Sequence, residues 1–237
     1  MTAWLIIPGC LTAIGGLLIF LWRMPTKLQL HLGLALTAGI MVAASFFSLL
    51  LPSIDRGPIG MVLLGFVLGG LALLGLDQVI PHHGASEEKR LERRSKKVLL
   101  ALTIHNIPEG MAVGVAWGAG GPELGLPLAI GIGLQNIPEG FAAATVMRSG
   151  GASPRRSAIV GAATGLVEPP AAVAAFLLVQ SASFLLTPAL AFAAAAMIYV
   201  VADELIPESQ HPGHESKISL AFLTGFLIMM ALDLLLA

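Results

Sequence analysis

Long apolar runs separated by short links set the strongest limit on what this chain can fold into. A bilayer core of about 30 Å requires roughly 20 apolar residues in each helix that crosses it. Only 11% of the residues are charged, against about 25% in soluble domains. The sequence therefore predicts an all-α integral membrane protein that forms a single polytopic domain over residues 1–237. The eight predicted transmembrane helices span about residues 3–22, 31–52, 58–80, 97–118, 124–147, 156–179, 184–206 and 217–236.

The distribution of lysine and arginine predicts how these spans are oriented. Cytoplasmic loops of membrane proteins collect both residues. With the N-terminus outside, Arg56 is the only one of the 13 cations on the outer side, so both termini are predicted to lie outside. No basic motif indicates a nucleic-acid partner. The cations placed on the cytoplasmic side are Arg23, Lys27, Lys89, Arg90, Arg93, Arg94, Lys96, Lys97, Arg148, Arg155, Arg156 and Lys217.

Half of the 14 acidic residues lie within or at the ends of the predicted spans, whereas no lysine or arginine lies in the hydrophobic interior of one. A charged side chain at mid-membrane costs at least about 2.5–3.5 kcal/mol on the insertion scale. Either these acids are protonated or a cation arrives from solution, so the pattern is typical of a cation pathway; the alternative is scattered carboxyl groups that serve helix packing. From the outside inward, the acids are Asp233, then Glu109, Glu139 and Glu168 at mid-depth, then Asp77, Asp203 and Glu204.

A duplicated motif lies in the middle of the fourth and fifth spans. Residues 105–110 read H-N-I-P-E-G, and residues 135–140 read Q-N-I-P-E-G. In each copy the polar positions are three or four residues apart and are therefore neighbours on one helix face. One imidazole, three carboxylates and several amide oxygens suit a divalent transition metal of the zinc or iron kind. The candidate metal ligands are His105, Asn106, Glu109, Gln135, Asn136, Glu139 and Glu168.

Prolines accompany these ligands at the same depth. Pro108 and Pro138 each remove a helical hydrogen bond, and Glu168 directly precedes Pro169 and Pro170, so three broken helices are predicted. The fourth and fifth spans must be antiparallel, since one short outer link joins them. Inverted repeats whose broken helices meet at the midplane are typical of the substrate sites of transporters. The alternative is a pair of kinked helices whose polar groups satisfy each other.

The chain resembles the ZIP (Zrt-, Irt-like) divalent metal transporters of the bacterial GufA-like branch. The motifs that carry the resemblance are H-N-I-P-E-G, Q-N-I-P-E-G, G-L-V-E-P-P at 165–170 and D-E-L-I-P-E at 203–208. The resemblance implies transport of zinc, or of cadmium, iron or manganese, into the cytoplasm across the cell inner membrane. It implies a 3+2+3 arrangement of helices with internal inverted symmetry and a possible homodimer. It also implies that the chain is not an enzyme and needs no organic cofactor.

The resemblance further assigns a role to each candidate ligand. One metal site would use His105, Glu109, Gln135 and Glu139. An adjacent site would use Asn106, Glu109, Asn136, Glu139 and Glu168, and a binuclear centre bridged by Glu109 and Glu139 matches the charge of three carboxylates. The pathway residues would be Asp233 at the entrance and Asp77, Asp203 and Glu204 at the exit.

This chain departs from the family pattern at three of these positions. Gln135 and Asp203 replace a histidine that relatives often carry, and some relatives have an acid at the position of Asn136. Fewer charged or imidazole ligands at Gln135 and Asn136 predict lower selectivity for zinc and a weaker second site. With Asp203, the inner site is predicted to be harder and more tolerant of manganese or iron. In the second span, Ser45 and Ser48 either line the path or serve helix packing.

Two other functions also account for buried acids. A proton-linked carrier of another solute would use the acids as a relay, but it does not need so many neutral oxygen ligands at one depth. An intramembrane metalloprotease would need an H-E-x-x-H motif or an equivalent pair, which the sequence lacks. The histidines of the cytoplasmic loops are interpreted as solvated linker residues, with weak metal capture as the alternative. They are His82 and His83 in loop 81–96, and His211 and His214 in the last loop.

Overall fold

A computed structural model describes residues 2–21, 26–79, 103, 106–149 and 151–236, and within them it contains helices and no β-strand. The predicted all-α fold is confirmed at this level. The described residues form eight helices, named α1 to α8 in chain order. Their bounds are Ile7–Leu17, Lys27–Arg56, Ile59–Val79, 106–120, Pro122–Ser149, Pro154–Ser181, Leu186–Ser209 and Glu215–Leu236. Short 3₁₀ turns occur at Thr2–Leu5, Leu18–Phe20 and Ser183–Leu185.

The lengths and apolar surfaces of the helices are those of a membrane protein. By length and composition, α2, α6, α7 and α8 can each cross a membrane, whereas Ile7–Phe20 and Ile59–Gly75 are shorter apolar helices. Large apolar side chains stay exposed on the outer faces, including Leu63, Leu71 and Leu234. Such extensive apolar surface indicates a lipid environment rather than water. The eight full spans, the 3+2+3 arrangement and the outward termini stay predictions.

Local sequence signals explain where several helices begin and turn. Thr26 and Gln29 form a capping box at the start of α2. The Thr26 hydroxyl accepts a hydrogen bond from the backbone N–H of Gln29, and the side-chain oxygen of Gln29 accepts one from the backbone N–H of Thr26. The Ser153 side chain caps the N-terminus of α6, and Pro154 is the first residue of this helix. Gly121, with φ of 57°, is the single residue between α4 and α5. The two copies of the motif therefore lie on a tight helical hairpin.

Helix pairs pack closely through glycine. In the described residues α2 packs on α8, α3 on α7, and α1 on both α5 and α6. A Cβ atom at Gly39 would lie 2.0 Å from the carbonyl oxygen of Phe222, and one at Gly225 would lie 2.0 Å from that of Leu36. Backbones of membrane helices approach this closely only where small residues face them. The α2–α8 pair is thus held together by two reciprocal glycine contacts.

The helices are irregular at positions that the sequence only partly indicates. The segments Ser45–Leu50 of α2 and Val201–Leu205 of α7 are π-helical, and each lies shortly before a proline. In α6 a 3₁₀ turn over Thr164–Val167 directly precedes Glu168, which agrees with the predicted irregularity there.

The predicted break at Pro138 is not observed. Helix α5 continues from Pro122 to Ser149 with Pro127 and Pro138 inside it. A proline removes one hydrogen bond, but its fixed φ is compatible with a helix. Helix α5 packs against both α1 and α2, and neighbouring helices of this kind allow a membrane helix to tolerate a proline.

Candidate metal centre

The described residues include all the predicted central ligands except His105, which lies outside them. Each of these side chains is buried, with at most 4% of its surface exposed. Polar groups buried in an apolar bundle are costly unless they have partners, so the partners define the site. The buried ligands are Asn106 and Glu109 on α4, Gln135, Asn136 and Glu139 on α5, and Glu168 on α6.

The two copies of the motif meet through a hydrogen bond between α4 and α5. The amide nitrogen Nε2 of Gln135 donates to Oε1 of Glu109 over 2.7 Å. Both side chains are fully buried, and a typical intramolecular hydrogen bond contributes about 0.5–1.5 kcal/mol to stability. Gln135, the first residue of the second copy, is thereby paired with Glu109, the acid of the first copy.

Glu168 lies in a cradle of donors from α1 and α5. The Nδ2 atom of Asn136 lies 2.9 Å from Oε1 and 2.7 Å from Oε2 of Glu168, and the Thr12 hydroxyl donates to Oε1 over 3.0 Å. The same Asn136 nitrogen donates to the Pro8 carbonyl over 2.9 Å. One amide group therefore joins three helices around a buried carboxylate.

Replacing Asn136 with leucine is expected to destabilise the protein. The change keeps the size of the side chain but removes its donor contacts with Glu168 and the Pro8 carbonyl, at a cost of about 1–3 kcal/mol for unpaired buried groups. Thermal unfolding in detergent should show a lower midpoint than for the wild type. Substitution of the exposed Gln180 by leucine is the control, and equal midpoints for the two variants would contradict the role given to Asn136.

The final glycine of each motif copy allows another helix to approach the site. A Cβ atom at Gly110 would lie 2.4 Å from the carbonyl oxygen of Glu168, and one at Gly140 would lie 2.0 Å from that of Thr12. A side chain at either position would push away the helix that carries these partners. The spacing of glutamate and glycine thus places each acid beside a close helix contact.

Several buried oxygen atoms of the site have no hydrogen-bond partner among the described residues. An unpaired acceptor in a buried position costs about 1–3 kcal/mol, and a bound cation would satisfy it. Glu109 also lies within Coulomb range of Glu139 and Glu168, and no lysine or arginine lies in the hydrophobic interior of a predicted span. The unpaired oxygens are Oε2 of Glu109, Oε1 of Gln135, Oδ1 of Asn136 and Oε2 of Glu139.

The ligands do not form a closed cage in this structure. Within the described part of the chain, no three histidine, cysteine, aspartate or glutamate side chains lie close enough together to hold a metal ion. Amide nitrogens of Gln135 and Asn136 hold Glu109 and Glu168 instead. The arrangement is therefore a set of carboxylates separated by amide donors.

The acids predicted outside the centre have separate surroundings. Asp233 on α8 accepts a hydrogen bond of 2.7 Å from the Ser48 hydroxyl on α2, so Ser48 belongs to this outer position. The Ser45 hydroxyl donates to the Met41 carbonyl of its own helix. Glu204 lies within Coulomb range of Glu139. The neighbouring Asp203 is exposed. The side chain of Asp77 lies outside the described residues.

Histidines from two segments meet at the end of the bundle predicted to be cytoplasmic. The ring centroids of His31 and His211 are 5.1 Å apart, as are those of His211 and His214. The sequence did not indicate this proximity, because His31 is separated from the other two by most of the chain. His82 and His83 lie outside the described residues.

Helix α1 contributes two groups that the sequence analysis did not single out, the Thr12 hydroxyl and the Pro8 carbonyl. A lone threonine in an apolar run is a weak signal, because most such hydroxyls bond within their own helix. A backbone carbonyl gives no signal in the sequence at all.

Comparison with known proteins gives consistent matches. The family described as "ZIP Zinc transporter" matches residues 82–233. The chain is 37% identical to "Zinc transporter GufA" of Myxococcus xanthus, over 97% of this chain and 96% of that protein. It is 38% identical to "Zinc transporter ZIPB" of Bordetella bronchiseptica, over 94% of this chain and 76% of that protein. It is 31% identical to the human "Zinc transporter ZIP11", over 94% of this chain and 93% of that protein.

Proposed function

The chain belongs to the ZIP zinc transporter family and transports divalent metal ions, and we propose that the ion passes through the buried cluster around Glu109 and Glu139. The observation that supports this route is the set of buried oxygens without a donor. They lie on the side chains that the motif predicts as ligands. Carboxylate and amide oxygens, with the imidazole of His105, are suitable ligands for zinc and related dications.

Rotation of the Gln135 amide group would convert the site from an amide-paired state to a metal-binding state. An amide presents two donors on nitrogen and an acceptor on oxygen. In the structure the nitrogen of Gln135 donates to Glu109 while its oxygen is unpaired. A half-turn of this amide exchanges the two atoms, so the oxygen joins the ligand set and Glu109 is released to the ion. Loss of the ion would restore the hydrogen bond between Gln135 and Glu109, and this bond lowers the free-energy cost of burying the two side chains without a metal ion.

Two ions can share the centre if Glu109 and Glu139 bridge them. Three carboxylates carry up to three negative charges, and two dications bring four positive ones, so the net charge in the membrane stays small. The first ion would bind His105, Gln135 and the two bridging acids. The second would bind Asn106, Asn136, Glu168 and the same bridging acids.

The pathway would run from Asp233 through the centre to the inner acids. Asp233 is held by Ser48 near the predicted outer end, and Glu204 interacts electrostatically with Glu139 toward the inner end. Asp203 and Asp77 would then receive the ion near the cytoplasm. With both termini outside the inner membrane, transport would be inward through eight spans in a 3+2+3 arrangement, in a chain that can form a homodimer.

Uptake by purified protein tests this function directly. The protein is reconstituted into vesicles that contain a zinc-sensitive dye, and zinc is added outside under an imposed gradient. We expect zinc entry above that of empty vesicles, with cadmium, manganese and iron as competitors because Gln135 replaces an imidazole. A protease-sensitive tag on the N-terminus reports the orientation, so the direction is measured in the same vesicles. Absence of zinc entry, together with flux of protons or another solute, would favour the proton-linked carrier.

A further inference from the structure

A hydroxyl group from outside the repeated motif lies against the candidate metal centre. Thr12, in the middle of α1, is fully buried, and its hydroxyl donates to Oε1 of Glu168 on α6 over 3.0 Å. The two residues are 156 positions apart in the chain. The contact therefore exists only because α1 packs against α6.

The direction of this hydroxyl is not the common one for a threonine in a helix. Such hydroxyls often donate to the carbonyl of the residue four positions earlier, as the hydroxyl of Thr145 does in α5. For Thr12 that carbonyl belongs to Pro8, and it accepts from the side-chain nitrogen of Asn136 over 2.9 Å. The Thr12 hydroxyl donates instead to the carboxylate of Glu168, a predicted metal ligand.

Close contacts with two helices hold Thr12 in place. A Cβ atom at Gly165 of α6 would lie 2.6 Å from the hydroxyl oxygen of Thr12, and one at Gly140 of α5 would lie 2.0 Å from its carbonyl oxygen. These distances leave no room for a side chain between Thr12 and either neighbour. Main-chain contacts of α5 and α6 therefore fix the position of this hydroxyl.

The hydroxyl and the Asn136 amide leave one part of the Glu168 carboxylate open. Oε1 of Glu168 accepts from both Thr12 and Asn136, whereas Oε2 accepts from Asn136. An ionised carboxylate offers about four acceptor sites, two on each oxygen. These contacts use both sites on Oε1 and one on Oε2, so the remaining site on Oε2 can bind a cation.

We propose that Thr12 is a positioning residue for the second transported ion and acts through Glu168. The inference rests on the proposed function, in which that ion binds Glu168 together with Asn106, Asn136 and the two bridging acids. The hydroxyl holds Oε1 and thereby directs Oε2 to the ion, without touching the ion itself. Helix α1, which carries no predicted ligand, thus contributes to the binding of the cargo.

The first test is a zinc titration of the purified protein by isothermal titration calorimetry, which resolves the two ions. Thr12→Val keeps the shape of the side chain and removes its hydroxyl, whereas Thr12→Ser keeps the hydroxyl and removes the methyl group. Loss of a group that orients a metal ligand typically costs about 10–100-fold in affinity. We expect that loss for the second ion in Thr12→Val, with the first ion unchanged and both ions retained in Thr12→Ser. Wild-type affinity for the second ion in Thr12→Val would overturn the proposal.

The same two substitutions separate positioning from packing. If Thr12 only filled space between helices, serine would do more harm than valine, because the lost methyl group leaves a cavity. Both ions and the midpoint of thermal unfolding would then be affected together, and this result would overturn the proposal. Thr145→Val is the matched control, since this hydroxyl is also buried but donates within its own helix. We expect this control to bind both ions as the wild type does.

A double-mutant cycle with Glu168→Gln tests whether Thr12 acts through this carboxylate. Residues that belong to one hydrogen-bond network show non-additive effects. We expect Glu168→Gln to weaken the second ion, and Thr12→Val to cause no further loss when added to it. Additive losses would show that Thr12 affects the ion by another route and would overturn the proposal.

Failure of this proposal and failure of the proposed function give different results in these titrations. If Thr12 has no positioning role, the wild type still binds two ions and loses both when Glu109 and Glu139 are replaced by glutamine. A wild type that binds a single ion would overturn the two-ion centre and the role of Thr12 with it. The route through the cluster would then still be tested by zinc uptake.

Discussion

Zinc uptake is expected to fall to the level of empty vesicles when Glu109 and Glu139 are both replaced by glutamine. Glutamine keeps the volume of each side chain, and its carbonyl oxygen can still accept the hydrogen bond from Gln135. The double variant therefore removes both carboxylates while it keeps side chains of the same size in the packed helices. Mutation of groups that only support metal ligands already costs about 10–100-fold in affinity, so loss of two ligands should exceed about 100-fold in the initial rate of uptake.

The control for this experiment is Glu123→Gln in the first turn of α5, where the acid is exposed. It changes the same functional group on the same helix without touching the cluster. We expect uptake close to that of the wild type. If the double variant also transported zinc at the wild-type rate, while inserted at the same level, the ion would have to take a route that avoids Glu109 and Glu139.

Gly140→Ala is expected to cause a large loss of stability through one added methyl group. The new Cβ would lie 2.0 Å from the carbonyl oxygen of Thr12, so α1 must move away from α5. Overpacking of this kind typically costs about 1–3 kcal/mol and sometimes more. Because Thr12 of α1 also donates to Glu168 of α6, displacement of α1 would disturb this hydrogen bond as well. Both the midpoint of thermal unfolding in detergent and the rate of zinc uptake should decrease.

Gly60→Ala provides the comparison, because no atom lies within 4 Å of a Cβ at Gly60. Alanine favours a helix over glycine by about 1 kcal/mol, so this variant should be as stable as the wild type or more so. Gly110→Ala should resemble Gly140→Ala, since its Cβ would meet the Glu168 carbonyl at 2.4 Å. A midpoint for Gly140→Ala equal to that of Gly60→Ala would show that α1 and α5 separate without cost.

The sequence was sufficient to predict the helical fold and the family because these depend on local patterns. An apolar run of about 20 residues predicts a helix wherever it lies in the chain. The repeated I-P-E-G predicts two helical segments with similar local structure, and this prediction does not depend on which helices pack against them. The glycine at the end of each copy has a physical reason only in the structure, where Gly110 and Gly140 face carbonyl oxygens of other helices.

The parts that were missed depend on contacts between distant residues. Thr12 and Pro8 reach the centre only because α1 packs along α5, and no pattern within α1 encodes that neighbour. The break predicted at Pro138 is absent, since α5 is continuous from Pro122 to Ser149, and the contacts of α5 with α1 and α2 cannot be predicted from its own sequence. The sequence also could not show that the nitrogen of Gln135, rather than its oxygen, faces Glu109 in this structure, since one amide group supplies both atoms.

Anomalous X-ray diffraction at the zinc edge, from crystals of zinc-loaded protein, tests most directly whether the buried cluster binds the transported ion. We predict one or two zinc peaks in the buried cluster, about 2.0–2.2 Å from ligand oxygens that include Oε2 of Glu139 and Oε1 of Gln135. Crystals of the Glu109→Gln, Glu139→Gln variant should lack these peaks. Zinc found only near His211 and His214, with no peak in the central cluster of the wild type, would contradict the proposed route.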